Sequence, residues 1–289
     1  MDQMQEVDWL QMHFAVPVEW SIVRHGLRTG KGRLLLADRR DQRMQLSWTR
    51  CANPPDLTEA IRQYREKDRL EWPTGRFVDL TPATPWRGYR HYRDDSALTR
   101  AGRYESRLRR WIEMTLDWPH GCDTELETAI LQSFRVPDES RPRWRAFGVD
   151  VHVPNGYQLA RAEVKPARVT LRFENGRSEL TVHRRGMVEA WSIAEGRTSL
   201  ARQFGRTCPQ FESGAVAGHH ACMAHGEEET VRIRRFLGQA RQRCDAVWHC
   251  PSRHAVWHLD FRRPRGDKTG LDDFPITCCL SPVERRGCR

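Results

Sequence analysis

The chain has 289 residues, a hydrophobic fraction of 38%, a charged fraction of 30% and a formal net charge of +10. The length predicts about two domains of ordinary size, and the low hydrophobic fraction predicts lean cores that depend on the 11 tryptophans. Proteins built from membrane-spanning segments are excluded, because no apolar run approaches the roughly 20 residues needed to cross a bilayer.

The first part of the chain is predicted to form four β-strands. Apolar residues alternate from Leu10 to Val16, as in a half-buried strand, and Pro17 ends this run. Three more alternating runs follow, and the polar turn 38–41 predicts that the last two form a hairpin. The apolar positions of these three runs are Trp20 and Ile22, then Leu34 and Leu36, then Met44, Leu46 and Trp48.

The spacing of apolar residues then changes to that of a helix. Asp56 is a suitable N-cap with Glu59 at the third helical position, and apolar residues follow at helical spacing. Asp123 is expected to cap a second helix that runs to Phe134. Between the two helices we predict a long proline-containing loop, 68–87, and strands at 89–92 and 104–118.

The second half of the chain returns to strand patterns. Val149, Val151 and Val153 alternate, and Asn175-Gly176 between two alternating runs is the strongest short hairpin signal in the sequence. A further hairpin is predicted for 246–258, where two Ala-Val-Trp-His segments flank Pro-Ser-Arg.

Short segments that occur twice in the same order predict an internal duplication. The matched segments are Val16-Pro17 through Trp20 with Val153-Pro154 through Tyr157, Asp56 and Glu59 with Ser192 and Glu195, Gly88–His91 with Gly218–Ala221, and 107–111 with 232–236. Each copy is predicted to be an α+β unit, a small antiparallel sheet with helices packed on it. The predicted organisation is a first repeat at 1–136, a linker at 137–145, a second repeat at 146–263 and an irregular tail at 264–289.

This order of elements resembles the PsbP/DcrB-like fold, a small antiparallel sheet with packed helices. The Val-Pro-x-x-aromatic entry and the helix ending in Ile130-Leu131-Gln132-Ser133-Phe134 carry the resemblance. The second repeat departs from the pattern, because a hairpin and an irregular tail replace the closing helix. The resemblance implies a non-catalytic accessory or binding protein, and it assigns a role to no individual residue.

Histidine and cysteine are concentrated between 219 and 258, where six of the 12 histidines lie. These are the side chains that zinc prefers, and a site, if present, would use His220, Cys250, His254 and His258. The competing interpretation places tryptophan and histidine in cross-strand packing pairs of the 246–258 hairpin, and the missing Cys-x2-Cys unit favours packing. We therefore predict no cofactor, with zinc as the alternative. Cys278, Cys279 and Cys288 receive no assigned role.

The predicted function is protein binding, as an adaptor or accessory subunit of a larger assembly. Trp72, Phe77 and Trp86 are the predicted partner-binding residues, because they lie in a loop too long to be a simple connection. The first alternative is a zinc-dependent enzyme or zinc-binding protein that uses the 219–258 cluster. The second is a nucleic-acid-binding protein, suggested by the net charge, although acidic residues are interspersed and only four of the 48 basic residues are lysines.

The cellular compartment is predicted to be the cytoplasm. The N-terminal residues are acidic and contain no apolar segment of the kind found in secretory signals. Nine cysteines, an odd number, favour a reducing environment over a framework of disulfides.

Overall fold

The structure is a computed structural model. It describes residues 3–80, 85–138, 142–187, 212–227 and 241–279. The chain divides into two compact units, of which unit 1 contains Met1–Asp8 and Met12–Pro137, and unit 2 contains Trp9–Gln11 and Asp138–Arg289. Neither α-helix among the described residues combines the length and apolar content needed to cross a bilayer.

Unit 1 consists of strands with two α-helices inserted between them. The strands are β1 (Met4–Trp9, its last residue assigned to unit 2), β2 (Met12–Pro17), β3 (Ser21–Arg28), β4 (Lys31–Ala37), β5 (Gln42–Arg50), β6 (Arg76–Asp79), β7 (Arg87–Arg93), β8 (Ser96–Glu105) and β9 (Arg110–Trp118). The helices are α1 (Leu57–Glu71) and α2 (Thr124–Ser133).

Seven strands of unit 1 form one antiparallel sheet in the order β3-β4-β5-β9-β8-β7-β6. Strands joined by short turns are neighbours, whereas the longer connection that contains α1 carries the chain from β5 to the far edge of the sheet. At the centre, β5 pairs with β9, and the opposed residues Leu46 and Met114 are both buried. The alternating apolar pattern of these two strands therefore forms the middle of the core.

Both helices begin where the sequence predicts, because aspartate side chains cap them. Asp56 accepts hydrogen bonds from the backbone N–H groups of Thr58 at 3.0 Å and Glu59 at 3.1 Å. Asp123 accepts one from the N–H of Leu126 at 2.9 Å. These bonds satisfy donors that the first turn of a helix leaves without intrahelical partners.

Each helix also places one buried carboxylate against arginines of the sheet. Asp68 of α1 accepts from Arg100 at 2.8 and 2.9 Å and from the hydroxyl of Tyr89 at 2.8 Å. Glu127 of α2 accepts from Arg90 at 2.6 and 2.9 Å. A buried carboxylate without such partners would be strongly destabilising, so these contacts fix where the helices dock.

Unit 2 repeats a seven-stranded antiparallel sheet, in the order β12-β13-β14-β18-β17-β16-β15. The strands of this unit are β10 (Arg143–Ala146), β11 (Val149–His152), β12 (Gln158–Lys165), β13 (Arg168–Asn175), β14 (Ser178–Arg185), β15 (Glu212–Val216), β16 (His219–Glu227), β17 (Arg241–Cys250) and β18 (Ala255–Pro264). Strands β10 and β11 pair with each other in antiparallel orientation and do not belong to this seven-stranded sheet.

The two predicted hairpins of unit 2 are confirmed. Asn175 pairs with Ser178 at the turn between β13 and β14. In the second hairpin Trp248 of β17 faces Trp257 of β18, and their parallel rings lie 6.1 Å apart between centroids. Both indoles are buried, so this cross-strand pair is a main part of the core of unit 2.

The predicted α+β class is wrong. Strands make up 58% of the structure, and only two α-helices occur among the described residues. The predicted tandem repeat of an α+β unit is wrong as well. Both α-helices belong to unit 1, and the described residues of unit 2 contain no α-helix. The PsbP/DcrB-like resemblance is overturned for the same reason. The predicted caps at Asp56 and Asp123 are confirmed, but the two helices that they begin are a small part of a mostly β structure.

Several predicted segments differ in detail from the structure. The predicted loop 68–87 begins with the last turn of α1 and contains β6. The predicted linker 137–145 contains the start of β10, and the predicted irregular tail contains the buried residues Phe274 and Cys278. Ser192, Glu195, the segment 232–236 and Cys288 lie outside the described residues.

Candidate functional site

Arginines and aromatic rings gather on one surface of unit 1, formed by the end of α1 and by strands β6 and β7. We call it the arginine–aromatic surface. It consists of Arg65, Arg69, Trp72, Arg76, Phe77, Tyr92 and Arg93. Strand β6 lies at the edge of the seven-stranded sheet, so this surface borders the sheet edge.

Each of the three aromatic rings has a guanidinium group over it. The guanidinium carbon of Arg93 lies 3.3 Å from the centroid of the Trp72 ring. The corresponding distances to Phe77 are 5.5 Å from Arg69 and 5.8 Å from Arg65. Arg76 covers Tyr92 in the same way at 4.8 Å. Attraction between a cation and the face of a ring holds these long side chains in place before any partner binds.

A buried histidine packs against two of these rings. His91 stacks on Phe77 with ring centroids 4.1 Å apart and meets the edge of Trp72 at 6.0 Å. Burial lowers the pKa of His91, so its imidazole remains neutral at neutral pH and tolerates the nearby arginines. A Cβ atom on Gly75 would lie 1.9 Å from Nε2 of His91, so the loop between α1 and β6 requires glycine there.

The contacts that dock α1 on the sheet also hold the arginine–aromatic surface in place. Tyr89 lies 5.4 Å from Phe77 between ring centroids, and its hydroxyl donates to the buried Asp68. Burial and the neighbouring Asp68 carboxylate both raise the pKa of Tyr89. The hydroxyl therefore stays protonated, and it ties the aromatic cluster to the ion pair that fixes α1.

The surface has an excess of positive charge and an exposed apolar residue beside it. Leu70, in the last turn of α1, is 85% exposed. Arg69 and Arg76 are exposed, whereas Arg65 is paired with Asp79. Aromatic, arginine and exposed aliphatic groups in one place are typical of residues that contribute most to protein–protein binding.

The three predicted partner-binding residues do not share one environment. Trp72 and Phe77 are half-buried members of the arginine–aromatic surface. Trp86 is fully buried, donates from Nε1 to the carbonyl of Leu131 at 2.9 Å and packs against Phe134. Its position in the core leaves Trp72 and Phe77 as the predicted residues that a partner can reach. Proline content indicated an irregular segment, but nothing local distinguishes a core tryptophan from a surface one.

The four residues named for the alternative of a zinc site, His220, Cys250, His254 and His258, are not brought together. His258 is buried, lies 2.7 Å from Asp245 through Nε2 and stacks on His183 at 5.2 Å. His254 is exposed in the turn between β17 and β18, and His220 is exposed on β16. Among the described residues, none of these three histidines lies in a group of possible metal ligands.

Cys250 alone among those four belongs to a cluster of possible ligands. Its sulfur lies near donor atoms of His219, Cys278 and Cys279, and all four atoms are within 4.8 Å of one another. Burial, together with the neighbouring Cys250 and Cys279 thiols, raises the pKa of Cys278 to about 12. The concentration of histidine and cysteine indicated the region, but the two C-terminal cysteines are distant in sequence and were missed.

Comparisons with known proteins give a weak structural likeness. No protein-family model matches the chain, and a comparison with curated proteins finds no match. The apo structure of the immunity protein TplEi of the T6SS from Pseudomonas aeruginosa aligns with 96% of this chain and 98% of that chain, at 10% identity and a TM-score of 0.35. The structure of TplEi complexed with "L" peptide aligns with 98% and 94%, at 10% identity and a TM-score of 0.36. Scores this low do not establish a common fold.

Proposed function

We propose that this chain works by binding another protein, as an adaptor or accessory subunit, and that the arginine–aromatic surface is the binding site. The supporting observation is the set of three aromatic rings, each covered by a guanidinium group, at the edge of a sheet. The rings supply apolar contact area, and the arginines supply hydrogen-bond donors for carboxylates.

The chemistry of the surface favours an acidic partner segment with an apolar anchor. Arg69 and Arg76 are exposed and can each form paired hydrogen bonds to a carboxylate. Leu70, next to Arg69 in the sequence, is 85% exposed and offers an aliphatic contact. Because the arginines already lie against rings, little side-chain entropy is lost when a partner binds.

Nucleic-acid binding is the competing function, because bases also stack on aromatic rings and phosphates also pair with arginine. Much of the positive charge of the chain is, however, committed to internal ion pairs. Arg43 pairs with Asp38, Arg143 with Asp150, and Arg243 with Asp245. This reduces the charge left for phosphates and favours the protein partner.

Site-directed photo-cross-linking in the native cell can test the proposal. A benzoylphenylalanine residue at Leu70 should cross-link to one defined protein, which mass spectrometry then identifies. The same residue at Val23, which is 57% exposed on β3 at the other edge of this sheet, is the matched control. Equal labelling at both positions, or cross-linking of Leu70 to nucleic acid, would contradict the proposal.

Charge reversal then measures the contribution of the arginines to the identified complex. Arg69→Glu with Arg76→Glu should weaken binding by about 10–100-fold, which corresponds to about 1.4–2.7 kcal/mol. Arg39→Glu with Arg40→Glu, both exposed in the turn between β4 and β5, makes the same change in net charge elsewhere. Equal loss of affinity in both double variants would show a general electrostatic effect and no specific site.

A further inference from the structure

A second site lies in unit 2, at one end of the central strands. His219 is the first residue of β16, and Cys250 is the last residue of β17. Ala221 pairs with Trp248 in these antiparallel neighbours, so continuing the register by two residues places His219 opposite Cys250. Two potential metal ligands that are 31 positions apart in the sequence therefore meet at one end of the sheet.

The segment that follows β18 brings two cysteines to the same place. Phe274 is buried and packs against Phe261 at 5.0 Å and Tyr157 at 5.3 Å. The next residues run along β11, where the N–H of Thr277 donates to the carbonyl of Asp150 at 2.9 Å. Cys278 and Cys279 follow directly, so packing and backbone hydrogen bonds fix the position from which they reach the sheet.

The four donor atoms have the separations that a small cation requires. They lie within 4.8 Å of one another, and Nε2 of His219 is 3.0 Å from Sγ of Cys279. Around a tetrahedral zinc, with bonds of about 2.0–2.3 Å, neighbouring ligand atoms are about 3.5–3.8 Å apart. Shifts of about 1 Å or less would therefore bring all four atoms to bonding distance.

The set also has the composition of a structural zinc site. Three thiolates and one imidazole form a closed four-ligand set, which leaves no position for a substrate. Cys250 and Cys278 are buried, while His219 and Cys279 are half-buried, so a metal could enter from the exposed side. Soft sulfur ligands in this number favour zinc over magnesium or calcium, which prefer oxygen.

Neighbouring side chains can stabilise thiolates. The indole N–H of Trp248 points to Sγ of Cys278 at 3.4 Å, and the hydroxyl of Ser252 lies 3.3 Å from Sγ of Cys250. Donors of this kind around a metal centre orient the ligands and offset their negative charge.

We propose that His219, Cys250, Cys278 and Cys279 bind one zinc ion that fastens the C-terminal segment to the end of the β16–β17 pair. The site is structural and separate from the arginine–aromatic surface, which belongs to unit 1. Zinc binding adds to the stability of unit 2, because the ligands come from three separate parts of the chain and meet only in the folded state.

The first experiment measures metal in the full chain without an affinity tag, purified under reducing conditions. Elemental analysis should find one zinc per chain. Replacement by cobalt should give the intense visible absorption and the sulfur-to-cobalt charge-transfer band of a tetrahedral thiolate site. Three reactive thiols at these positions in metal-replete protein, or a disulfide between any two of the three cysteines, would overturn the proposal.

Variants locate the metal. His219→Ala and Cys279→Ser, at the half-buried positions, should each lose stoichiometric zinc while the far-ultraviolet circular dichroism of the chain stays unchanged. His220→Ala and Cys222→Ser, on the same strand, should keep it. Zinc retained by both ligand variants, or lost from the two controls, would show that the site lies elsewhere.

Ser252→Ala separates metal binding from a packing role of the cysteines. Loss of the Ser252 hydroxyl, which can donate a hydrogen bond to the Cys250 thiolate in the metal-bound state, should reduce zinc affinity by about 10–100-fold in a competition assay with a chromophoric chelator. The melting temperature without zinc should be unaffected by this small change at a half-buried site. Unchanged affinity in Ser252→Ala, together with equal melting temperatures with and without zinc for the native chain, would overturn the proposal.

Discussion

The two seven-stranded sheets have the same strand order but stabilise buried charge in different ways. In unit 1 the two most deeply buried carboxylates, Asp68 and Glu127, come from helices, and the arginines that pair with them come from strands. In unit 2 the buried carboxylates of Asp245 and Asp260, and most of their partners, lie on neighbouring strands. One sheet topology is therefore compatible with two kinds of buried polar network, and the features added to the sheet decide what each unit can bind.

The hydrogen-bond network around Glu127 in unit 1 connects helix α2 to the sheet. Glu127 is 1% exposed, and besides Arg90 it accepts a hydrogen bond from the hydroxyl of Thr99. The hydroxyl oxygen of Thr99 in turn accepts a hydrogen bond from Nε1 of Trp118 at 2.9 Å. A single carboxylate thus connects α2 to three strands of the sheet.

The network of unit 2 contains two carboxylates in direct opposition. Asp245 of β17 pairs with Asp260 of β18, and both are buried. Like charges across a strand pair repel each other. Arg243 bridges the two at 2.7 and 3.2 Å, and Arg262 and His258 add a further contact to each. Because the two carboxylates share Arg243 and each has a further partner, each one is less critical.

Glu127→Gln is expected to have the largest effect. Removing the charge leaves Arg90 mostly buried without its counter-ion, and breaking such a pair costs about 3–5 kcal/mol. Urea unfolding followed by tryptophan fluorescence measures the loss. Glu125→Gln, exposed in the first turn of the same helix, should cost less than about 1 kcal/mol. Equal effects would show that the ion pair does not fix α2.

Asp260→Asn should cost less, about 2 kcal/mol, although this aspartate is also buried. The amide loses the ion pairs to Arg243 and Arg262, but the repulsion from Asp245 disappears and Arg243 keeps that partner. The same urea experiment compares the two networks directly. A loss as large as that of Glu127→Gln would mean that the opposed carboxylates of unit 2 do not share their cations.

Much of the local structure could be predicted from the sequence, because its causes are local. Alternating apolar residues predict β4, β5 and β9. Asn175-Gly176 predicts a hairpin, and Asp56 and Asp123 predict where the two helices begin. After both Val-Pro segments the backbone N–H of the next aromatic residue bonds back to the proline carbonyl, at 3.0 Å for Trp20 and 3.3 Å for Tyr157. These features depend on residues within a few positions of one another.

The remaining features depend on distant contacts, which periodicity does not encode. The pairing of β5 with β9 spans the whole of α1 and three strands. Trp72 and Trp86 are similar in sequence context. The Trp72 ring is nevertheless covered by a guanidinium group, whereas Trp86 is buried in the core. Cys278 approaches Cys250 because Phe274 packs into unit 2, and the sequence pattern around Phe274 resembles an irregular tail.

A buried histidine pair makes the stability of unit 2 sensitive to acid. His183 accepts or donates a hydrogen bond with Thr170 at 3.0 Å and stacks on His258. Burial and the neighbouring His258 lower the pKa of His183 to about 4, with smaller effects from Asp260, Arg185 and Arg168. The unfolded chain therefore takes up this proton at a higher pH than the folded chain does.

Stability should accordingly fall as the pH decreases from about 6.5, the ordinary pKa of histidine, towards 4, and this contribution should level off below 4. His183→Gln, which can keep the bond to Thr170, removes the titration. We expect the loss of stability between pH 7 and pH 5 to be smaller in this variant by about 1–2 kcal/mol. His120→Gln, at an exposed position of unit 1, is the control, and an equal reduction there would contradict the assignment.

The smallest expected effect concerns the cap of α1 and sharpens the distinction between helix docking and helix capping. If Asp68 fixes α1 on the sheet, the cap contributes only the satisfaction of two backbone N–H groups. Asp56→Ala should then reduce the free energy of unfolding by about 0.5–1 kcal/mol, and Asp56→Asn, an equally good cap, should reduce it by less. Hydrogen exchange should become faster at Thr58 and Glu59, which lose their acceptor, while amides of the last turn of α1 near Asp68 keep their protection. Loss of protection along the whole helix would show that the cap, more than the ion pair with Arg100, holds α1 and the arginine–aromatic surface in place.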